Sequence, residues 1–226
     1  MMAQSGKFIA MIPARLGSQR LKQKNLQKIN GIPLIAHAVR RCREAGVFDE
    51  IWVNTESDDI AEAAVAEGAQ YHKRPENLAD NNATSEQFVY EFLKAHECDV
   101  VFQVHSIAPL LTSSDIKRFV EQFATLNPNT MLSCIEDQIE VAYGGAPVNF
   151  TFDEKTNSQD LAPVQRITWS ITAWRSEAYR AAYEAGKTAT YTKPIAIHAV
   201  DAISGHVIKT SQDLEIADAL LSLATK

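Results

Sequence analysis

The sequence predicts an α/β protein with three layers, a mostly parallel sheet and a β-rich insert. Short apolar runs alternate with segments of helical period over the first 126 residues, and this alternation is typical of βαβ units. After about residue 130 the pattern changes to β-rich segments separated by polar loops. The chain has 226 residues, 46% of them hydrophobic, which is enough for one core. We therefore predict one domain over residues 1–226, with the insert at about 134–175.

Strands and helices alternate in the first half of the chain. Each strand is predicted from a short apolar run, and each helix from apolar residues that recur every three or four positions. Acidic residues in the first turn and a glycine at the end support the second helix, and a Ser-Ser-Asp run at residues 113–115 is expected to cap the fourth. The predicted strands are Phe8–Pro13, Asp49–Asn54 and Asp99–His105, and the helices are Pro33–Ala45, Asp58–Gly68, Ser85–His96 and Ser113–Leu126.

The second half is predicted to be richer in strands. Residues 141–158 are rich in Gly, Asn, Asp and Thr, so they predict a loop or hairpin. Ser211, with Glu215 nearby, is the expected N-cap of a C-terminal helix. The other predicted elements are strands at Met131–Ile139, Ile167–Trp174 and within Ala196–Ile208, and a short helix at Ser176–Ala185.

Composition argues against several classes of function. The net charge of −6 argues against non-specific nucleic-acid binding, which needs a basic surface. Cys42, Cys98 and Cys134 lack metal-binding spacing and are expected to be reduced thiols, as in a cytoplasmic protein. No apolar stretch approaches about 18 residues, so no membrane span is expected. The N-terminus lacks the features of an export signal, and we expect a cytoplasmic location.

The stretch Ile9–Asn25 (IAMIPARLGSQRLKQKN) predicts a site for a polyphosphate. A short apolar strand ends in Pro-Ala-Arg, Gly17 and Ser18 let a ligand approach the backbone, and cations follow closely. The spacing differs from that of the ATPase P-loop. A basic cluster alone is more often a solvated surface than a site, but ligands of open α/β sheets bind beyond the carboxyl ends of strands, which strengthens the interpretation as a site. The cations are Arg15, Arg20, Lys22 and Lys24.

Several motifs occur in the order found in one enzyme family. PARLGSQRLKQKN is followed by GIPLIAHAV, VNTESDDIAEAAVAEGA, RPENLADNNATS, APLLTSSDI, NSQDLAPVQRITWSITAW and TSQDLEIADALL. Together these motifs span nearly the whole chain. The sequence resembles the acylneuraminate and nonulosonate cytidylyltransferases, the CMP–sialic acid synthetase-like family, which is related to the CMP–Kdo synthetases. This chain is a divergent member by that resemblance.

The resemblance implies a Rossmann-like nucleotide-diphospho-sugar transferase fold that binds CTP. It implies transfer of CMP to an acidic sugar of the nonulosonate or Kdo-like class, with pyrophosphate leaving, and a homodimer formed through the insert. Such sugars serve lipopolysaccharide or capsule biosynthesis. Arg15 and Lys24 are the implied catalytic residues. Nucleotide binding is implied for Arg15, Gly17, Ser18, Arg20, Lys24, Asn25, Arg74, Ala83 and Ser85, and sugar binding for His105, Gln159 and Asp160.

The acceptor and metal positions differ from the family pattern. His105 stands where the family has a sugar-contacting Gln, and Leu111 replaces an Arg. Mg²⁺ is expected for the family, but Ile107 stands at one ligand position and Val207-Ile208-Lys209 at the other. Mg²⁺ prefers oxygen ligands, so no metal ligand is assigned. The Asn-Gly pair of the family reads Thr168-Trp169 here.

These differences leave alternatives open. The leading hypothesis is a cytidylyltransferase acting on an acidic sugar. A catalytically impaired paralogue that binds a nucleotide or a partner enzyme is the main rival, and a nucleotidyltransferase for another sugar or base is a third interpretation. His105 is either a site residue or a half-buried structural histidine. Lys209 is either a solvated side chain or a cation that replaces the charge of the metal.

Overall fold

A seven-stranded sheet forms the centre of the protein. The computed structural model describes residues 6–18 and 20–224. The export expectation rests on N-terminal residues that lie partly outside this range. The strands are β1 (Phe8–Pro13), β2 (Lys28–Ile29), β3 (Ile32–Pro33), β4 (Glu50–Thr55), β5 (Gln70–Lys73), β6 (Val100–Val104), β7 (Thr130–Asp137), β8 (Ala142–Tyr143), β9 (Ala146–Pro147), β10 (Val164–Arg175) and β11 (Ile195–Ala199).

The central sheet is mostly parallel, as predicted. Its strand order is β11-β7-β10-β6-β1-β4-β5. β1 pairs in parallel with both β4 and β6, and β4 pairs in parallel with β5. β10 runs antiparallel to β6 and to β7, whereas β11 runs parallel to β7. The carboxyl ends of β1, β4, β5 and β6 therefore meet at one edge of the sheet, where ligands of such folds bind.

Helices cover both faces of this sheet and complete the three layers. They are α1 (Leu34–Ala45), α2 (Asp58–Val65), α3 (Ser85–Ala95), α4 (Ser113–Leu126), α5 (Ser176–Glu184) and α6 (Ser211–Ala224). Side chains alternate between the faces of a strand. Phe8, Ala10 and Ile12 of β1 accordingly join the core with α1, α2 and α4, whereas Ile9 and Met11 join the core with α3 and α5.

Several local predictions were wrong. β5 was missed because its sequence, Gln-Tyr-His-Lys, is polar and lies at a sheet edge. The fourth helix is capped by Thr112, whose hydroxyl accepts from the Asp115 N–H while the Asp115 carboxylate accepts from Thr112. Thr210 and Asp213 make the same pair of contacts before α6, so Ser211 is not the cap. In each case the residue before the predicted cap has the capping hydroxyl.

The second half also differs in detail from the prediction. Strands were predicted within Ala196–Ile208, but the strand in this region is Ile195–Ala199 and the residues after it form a loop. A turn in this loop is closed by a hydrogen bond from the Gly205 N–H to the Asp201 carbonyl. Both ends of the predicted insert, about 134–175, belong to the central sheet as β7 and β10. The segment between these two strands, residues 138–163, lies outside the sheet and holds the β8–β9 hairpin.

Two further findings concern the cysteines and the helices. Cys42, Cys98 and Cys134 are free and buried. Burial raises the pKa of the Cys42 thiol, which keeps that side chain protonated. In the described part of the chain, no helix has the length and apolar character that crossing a membrane requires.

Candidate active site

A polar cleft of about 270 Å³ opens at the carboxyl edge of the sheet. The chain reaches it directly after β1, β5 and β6, because Ala14, Arg74 and His105 each follow the last residue of a strand. Four cationic side chains line the cleft, and none of its lining residues is acidic. The lining residues are Pro13, Ala14, Arg15, Ser18, Arg20, Lys24, Asn25, Arg74, Phe88, His105 and Ile107.

Asn25 fixes the loop that follows β1. Its Nδ2 donates to the Arg15 carbonyl at 2.8 Å, and its Oδ1 accepts from the Ser106 hydroxyl at 2.6 Å. Asn25 is only 6% exposed and Ser106 only 1% exposed, so these polar groups depend on each other, and not on solvent, for their hydrogen bonds. The amide of Asn25 thus joins the basic loop to the end of β6, and the residue holds the site together as well as lining it.

Glu56 supports the same loop from the end of β4. Its Oε1 accepts from the Leu16 N–H at 2.8 Å, and its Oε2 is buried without a hydrogen-bond partner among the described residues. The carboxylate also acts on Arg74, because its charge favours the protonated guanidinium. We did not single out Glu56 from the sequence. Its position two residues after the predicted strand Asp49–Asn54 was the available signal.

Arg15 and Lys24 bring positive charge to two sides of the cleft. Arg15 Nη1 donates to the Asp80 carbonyl at 2.9 Å, and Lys24 Nζ donates to the Ile208 carbonyl at 3.3 Å. Burial lowers the pKa of Lys24, and the charges of Arg20, Arg15 and Lys209 lower it further. Cations held this close together repel one another, which favours a polyanion that would bind among them.

Arg74, which also lines the cleft, is held rigidly by its neighbours. Its Nε donates to Asn54 Oδ1 at 2.6 Å and its Nη2 to the Asn54 carbonyl at 2.7 Å. The guanidinium lies over the Phe88 ring, 4.3 Å from its centroid. Burial lowers the pKa of Arg74 to about 10, and it stays protonated at neutral pH. Nη1 has no hydrogen-bond partner among the described residues, so it is available to a ligand.

His105 lines the same cleft and is close enough to Lys24 and Arg74 for their charges to act on it. Its backbone N–H donates to the Ser170 carbonyl at 3.0 Å, and its carbonyl accepts from the Ala108 N–H at 3.1 Å. Neither ring nitrogen has a hydrogen-bond partner in the part of the chain that the structure describes. Burial lowers the pKa of His105 to about 4, with further contributions from Lys24 and Arg74. The ring is therefore neutral at neutral pH.

The structure brings most of the sequence-predicted site residues to this cleft, but not all of them. Arg15, Ser18, Arg20, Lys24, Asn25, Arg74 and His105 line it, and the neighbouring residues Phe88 and Ile107 were not among the predicted site residues. Gly17 is exposed and does not line the cleft. Ala83, Ser85, Gln159 and Asp160 are also absent from the lining.

The four residues that are absent from the lining besides Gly17 lie in two segments of the chain. The Ala83 N–H donates to Asp80 Oδ1 at 2.8 Å, in the loop that Arg15 contacts, and Ser85 is the first residue of α3. Gln159 and Asp160 lie in an exposed 3-10 turn of the segment 138–163. A nucleotide role for the first pair and a sugar role for the second pair therefore remain predictions.

The residues at the expected metal positions do not fit a Mg²⁺ ion held by the protein. The two positions are neighbours, because the Ile208 N–H donates to the Ile107 carbonyl at 2.8 Å. Their side chains are aliphatic, and the adjacent Lys209 is a cation, whereas Mg²⁺ prefers oxygen ligands. Residues 6–18 and 20–224 contain no group of three or more His, Cys, Asp or Glu side chains placed to hold a metal.

The sequence model of a family described as Cytidylyltransferase matches residues 9–184. The chain is 31% identical to N-acylneuraminate cytidylyltransferase A of Danio rerio over 175 residues, which are 74% of this chain and 39% of that protein. It is 33% identical to a pseudaminic acid cytidylyltransferase of Campylobacter jejuni over 168 residues, 69% of this chain and 72% of that one.

A likeness to a solved structure extends over almost the whole chain. A CMP:2-keto-3-deoxy-manno-octonic acid synthetase complexed with CTP superimposes with a TM-score of 0.74 at 19% identity, over 96% of this chain and 99% of that one. At this identity the likeness shows the fold alone, and it confirms the predicted nucleotidyltransferase-like α/β architecture. The match to the Danio rerio relative covers 39% of that protein, less than half of its length.

Proposed function

Because this chain belongs to the cytidylyltransferase family, we propose that it transfers CMP from CTP to an acidic sugar and releases pyrophosphate. The observation that carries this proposal is the cleft itself, because the described residues that line it include four cations and no carboxylate. A triphosphate is the ligand class whose charge matches that surface. The relatives include enzymes named for N-acylneuraminate and pseudaminic acid, which supports an acidic sugar as the acceptor.

The basic loop after β1 would bind the triphosphate. Arg15, Arg20 and Lys24 would neutralise the charge of the phosphates, and the Ser18 hydroxyl would donate a hydrogen bond. The same cations would stabilise the negative charge that develops on the leaving pyrophosphate during in-line displacement. The lowered pKa of Lys24 supports this role, since a bound polyanion would relieve the repulsion that its neighbours exert.

Arg74 would contact the cytidine. Asn54 and Phe88 fix its guanidinium, and Nη1 is left to donate a hydrogen bond to the base or ribose. A rigid planar donor is well suited to a planar, acceptor-rich ligand. Ala83 lies in the loop that follows Arg74 in the sequence, and Ser85 begins the helix after that loop, which supports the nucleotide role predicted for these two residues.

Mg²⁺ remains part of the proposal only as a partner of the nucleotide. The side chains at the expected ligand positions are aliphatic or cationic, so a divalent ion would have to be coordinated by phosphate and water oxygens. Lys209 is exposed, yet its charge lowers the pKa of Lys24, which indicates that it is near the rim of the cleft. This position is compatible with a contact between Lys209 and the phosphates.

We also propose that the segment 138–163 joins two copies of the chain. This segment exposes large apolar side chains, among them Tyr143 at 85% and Phe152 at 72%. Contiguous exposed apolar residues are typical of association surfaces. Sedimentation should give a dimer for the wild type and a monomer for the double variant Tyr143→Ser, Phe152→Ser. A monomeric wild type would contradict this part of the proposal.

The activity is tested by supplying CTP, Mg²⁺ and a panel of acidic sugars and following pyrophosphate release. We expect release with at least one nonulosonate or Kdo-like sugar, and none with neutral hexoses. CTP binding without release from any acidic sugar would contradict the proposed transfer and favour the nucleotide-binding paralogue. With this activity we propose a role in lipopolysaccharide or capsule synthesis and a cytoplasmic location.

A further inference from the structure

The proposed transfer needs a group that accepts a proton. The sugar hydroxyl must lose its proton as its oxygen bonds to the α-phosphorus of CTP. Five of the residues that line the cleft have ionisable side chains, namely Arg15, Arg20, Lys24, Arg74 and His105. Arginine is always protonated in proteins. No carboxylate lines the cleft, so the usual alternative base is missing from the described lining.

Lys24 is held in its cationic role. Its Nζ donates to the Ile208 carbonyl, and the phosphates of a bound nucleotide would stabilise the protonated form. His105 differs from all these cations, because its ring is neutral and both ring nitrogens are without hydrogen-bond partners among the described residues. The neutral ring offers one nitrogen lone pair to a substrate proton.

The backbone of His105 is fixed while its ring remains available. The hydrogen bonds to Ser170 and from Ala108 hold the residue at the end of β6, beside the loop that carries Lys24. A base on the end of a central strand is positioned more rigidly than one on a free loop. If the cations of the cleft bind the triphosphate as proposed, His105 would lie beside it.

We propose that His105 is the general base of the reaction, a role that rests on the cytidylyl transfer proposed above. As the sugar oxygen forms its bond to the α-phosphorus, the hydroxyl proton passes to a ring nitrogen of His105. The bond from the α-phosphorus to the bridging oxygen of the β-phosphate breaks, and pyrophosphate leaves with that electron pair. This role goes beyond sugar binding, which a side chain without a titratable proton could also perform.

Charge around the ring explains how a weak base becomes effective when substrate binds. Burial, Lys24 and Arg74 keep the pKa of His105 low, and Arg15 and Arg20 line the same cleft. His37 and Arg41 line a small neighbouring pocket that His105 also borders. The negative charges of a bound triphosphate would offset the nearest cations. We expect the pKa of His105 to rise by about 1 to 3 pH units on CTP binding.

Two variants separate a base from a binding residue. His105→Gln keeps a hydrogen-bonding side chain but cannot accept the proton, so kcat should fall about 10²- to 10⁴-fold while the Kd for CTP changes little. The fall in kcat at acidic pH, which reports protonation of the base, should be absent from the kcat–pH profile of His105→Gln. His198→Gln, which alters a half-buried histidine outside the cleft lining, is the matched control and should keep the wild-type profile.

Imidazole rescue and NMR complete the test. Added imidazole should restore part of the activity of His105→Ala, and the ring ¹⁵N signals of His105 should show the rise in pKa when CTP is added. If His105→Gln raises only KM, or keeps kcat within about threefold and retains the fall in kcat at acidic pH, His105 is not the base. Absence of pyrophosphate release by the wild type would instead overturn the proposed function, and this role with it.

Discussion

Replacing Asn25 by alanine should loosen the basic loop and lower the stability of the fold. The substitution removes two short hydrogen bonds, from Nδ2 to the Arg15 carbonyl at 2.8 Å and from the Ser106 hydroxyl to Oδ1 at 2.6 Å. Each bond contributes about 1 kcal/mol net, and leaving a buried partner unsatisfied costs about 1–3 kcal/mol. Ser106 is 1% exposed, so we expect the free energy of unfolding to fall by about 2–4 kcal/mol.

Urea unfolding followed by tryptophan fluorescence measures this change, since the chain has three tryptophans. Ser106→Ala breaks only one of the two bonds and should cost about 1–2 kcal/mol. The double variant should lose less than the sum of the single variants, by about 1 kcal/mol, because both changes remove the same contact. Additive losses, or a loss below about 0.5 kcal/mol for Asn25→Ala, would refute the interpretation of Asn25 as the anchor of the loop.

The same pair of variants separates positioning from direct nucleotide contact. Ser106 does not line the cleft, and the hydrogen bond that joins it to the described part of the loop is the one to Asn25. If the loop must be held for the triphosphate to bind, Ser106→Ala should also weaken CTP binding, by several-fold. Unchanged CTP affinity in Ser106→Ala, together with a large loss in Asn25→Ala, would instead indicate that Asn25 acts by contacting the nucleotide.

Three further predictions follow from individual contacts. Gly205→Ala should lower the free energy of unfolding by about 1–3 kcal/mol, because a Cβ at Gly205 would lie 2.3 Å from the Ile135 methyl. Gly17→Ala should be nearly neutral, since a Cβ at Gly17 meets nothing within 4 Å. Arg74→Lys should weaken CTP binding at least tenfold, since Lys lacks the fork that Asn54 holds. Burial would raise the pKa of Asp115, but hydrogen bonds from Ser204 and Thr112 and the charge of Arg118 outweigh it and lower the pKa. The stability from Asp115 is therefore present above about pH 4 and lost as pH falls through its folded pKa, so Asp115→Asn should flatten the acidic fall in unfolding free energy. Each prediction has a result that would contradict it. These results are equal stabilities of the two glycine variants, wild-type CTP affinity in Arg74→Lys, and an unchanged dependence of unfolding free energy on acidic pH in Asp115→Asn.

Apolar patterns predicted the elements that bury apolar side chains. β1 and β6 are buried on both faces and appear as continuous apolar runs, whereas the apolar residues of α1 and α4 follow the helical period. β5 is an edge strand whose residues are mostly polar, and its sequence had no such pattern. The caps at Thr112 and Thr210 were misplaced by one residue because a serine follows each threonine and both can cap a helix.

The candidate site was predictable only where one local motif carries it. Arg15, Ser18, Arg20, Lys24 and Asn25 lie within eleven residues of one another, so the basic loop was visible in the sequence. The role of Asn25 as an anchor depends on Ser106, which is 81 residues away in the chain. Glu56 acts through the Leu16 N–H, 40 residues away. Contacts of this kind arise from the sheet topology, which no local pattern encodes.

Calorimetric titration of CTP into the wild type and into Lys24→Met tests the central claim most directly. Lys155→Met is the matched control, because Lys155 is an exposed lysine of the segment 138–163 that pairs with Glu140 and does not line the cleft. If the cations of the cleft bind the triphosphate, the wild type and Lys155→Met bind CTP equally well, and Lys24→Met binds at least tenfold more weakly. Equal affinity of all three proteins for CTP, or no binding by the wild type, would contradict the account.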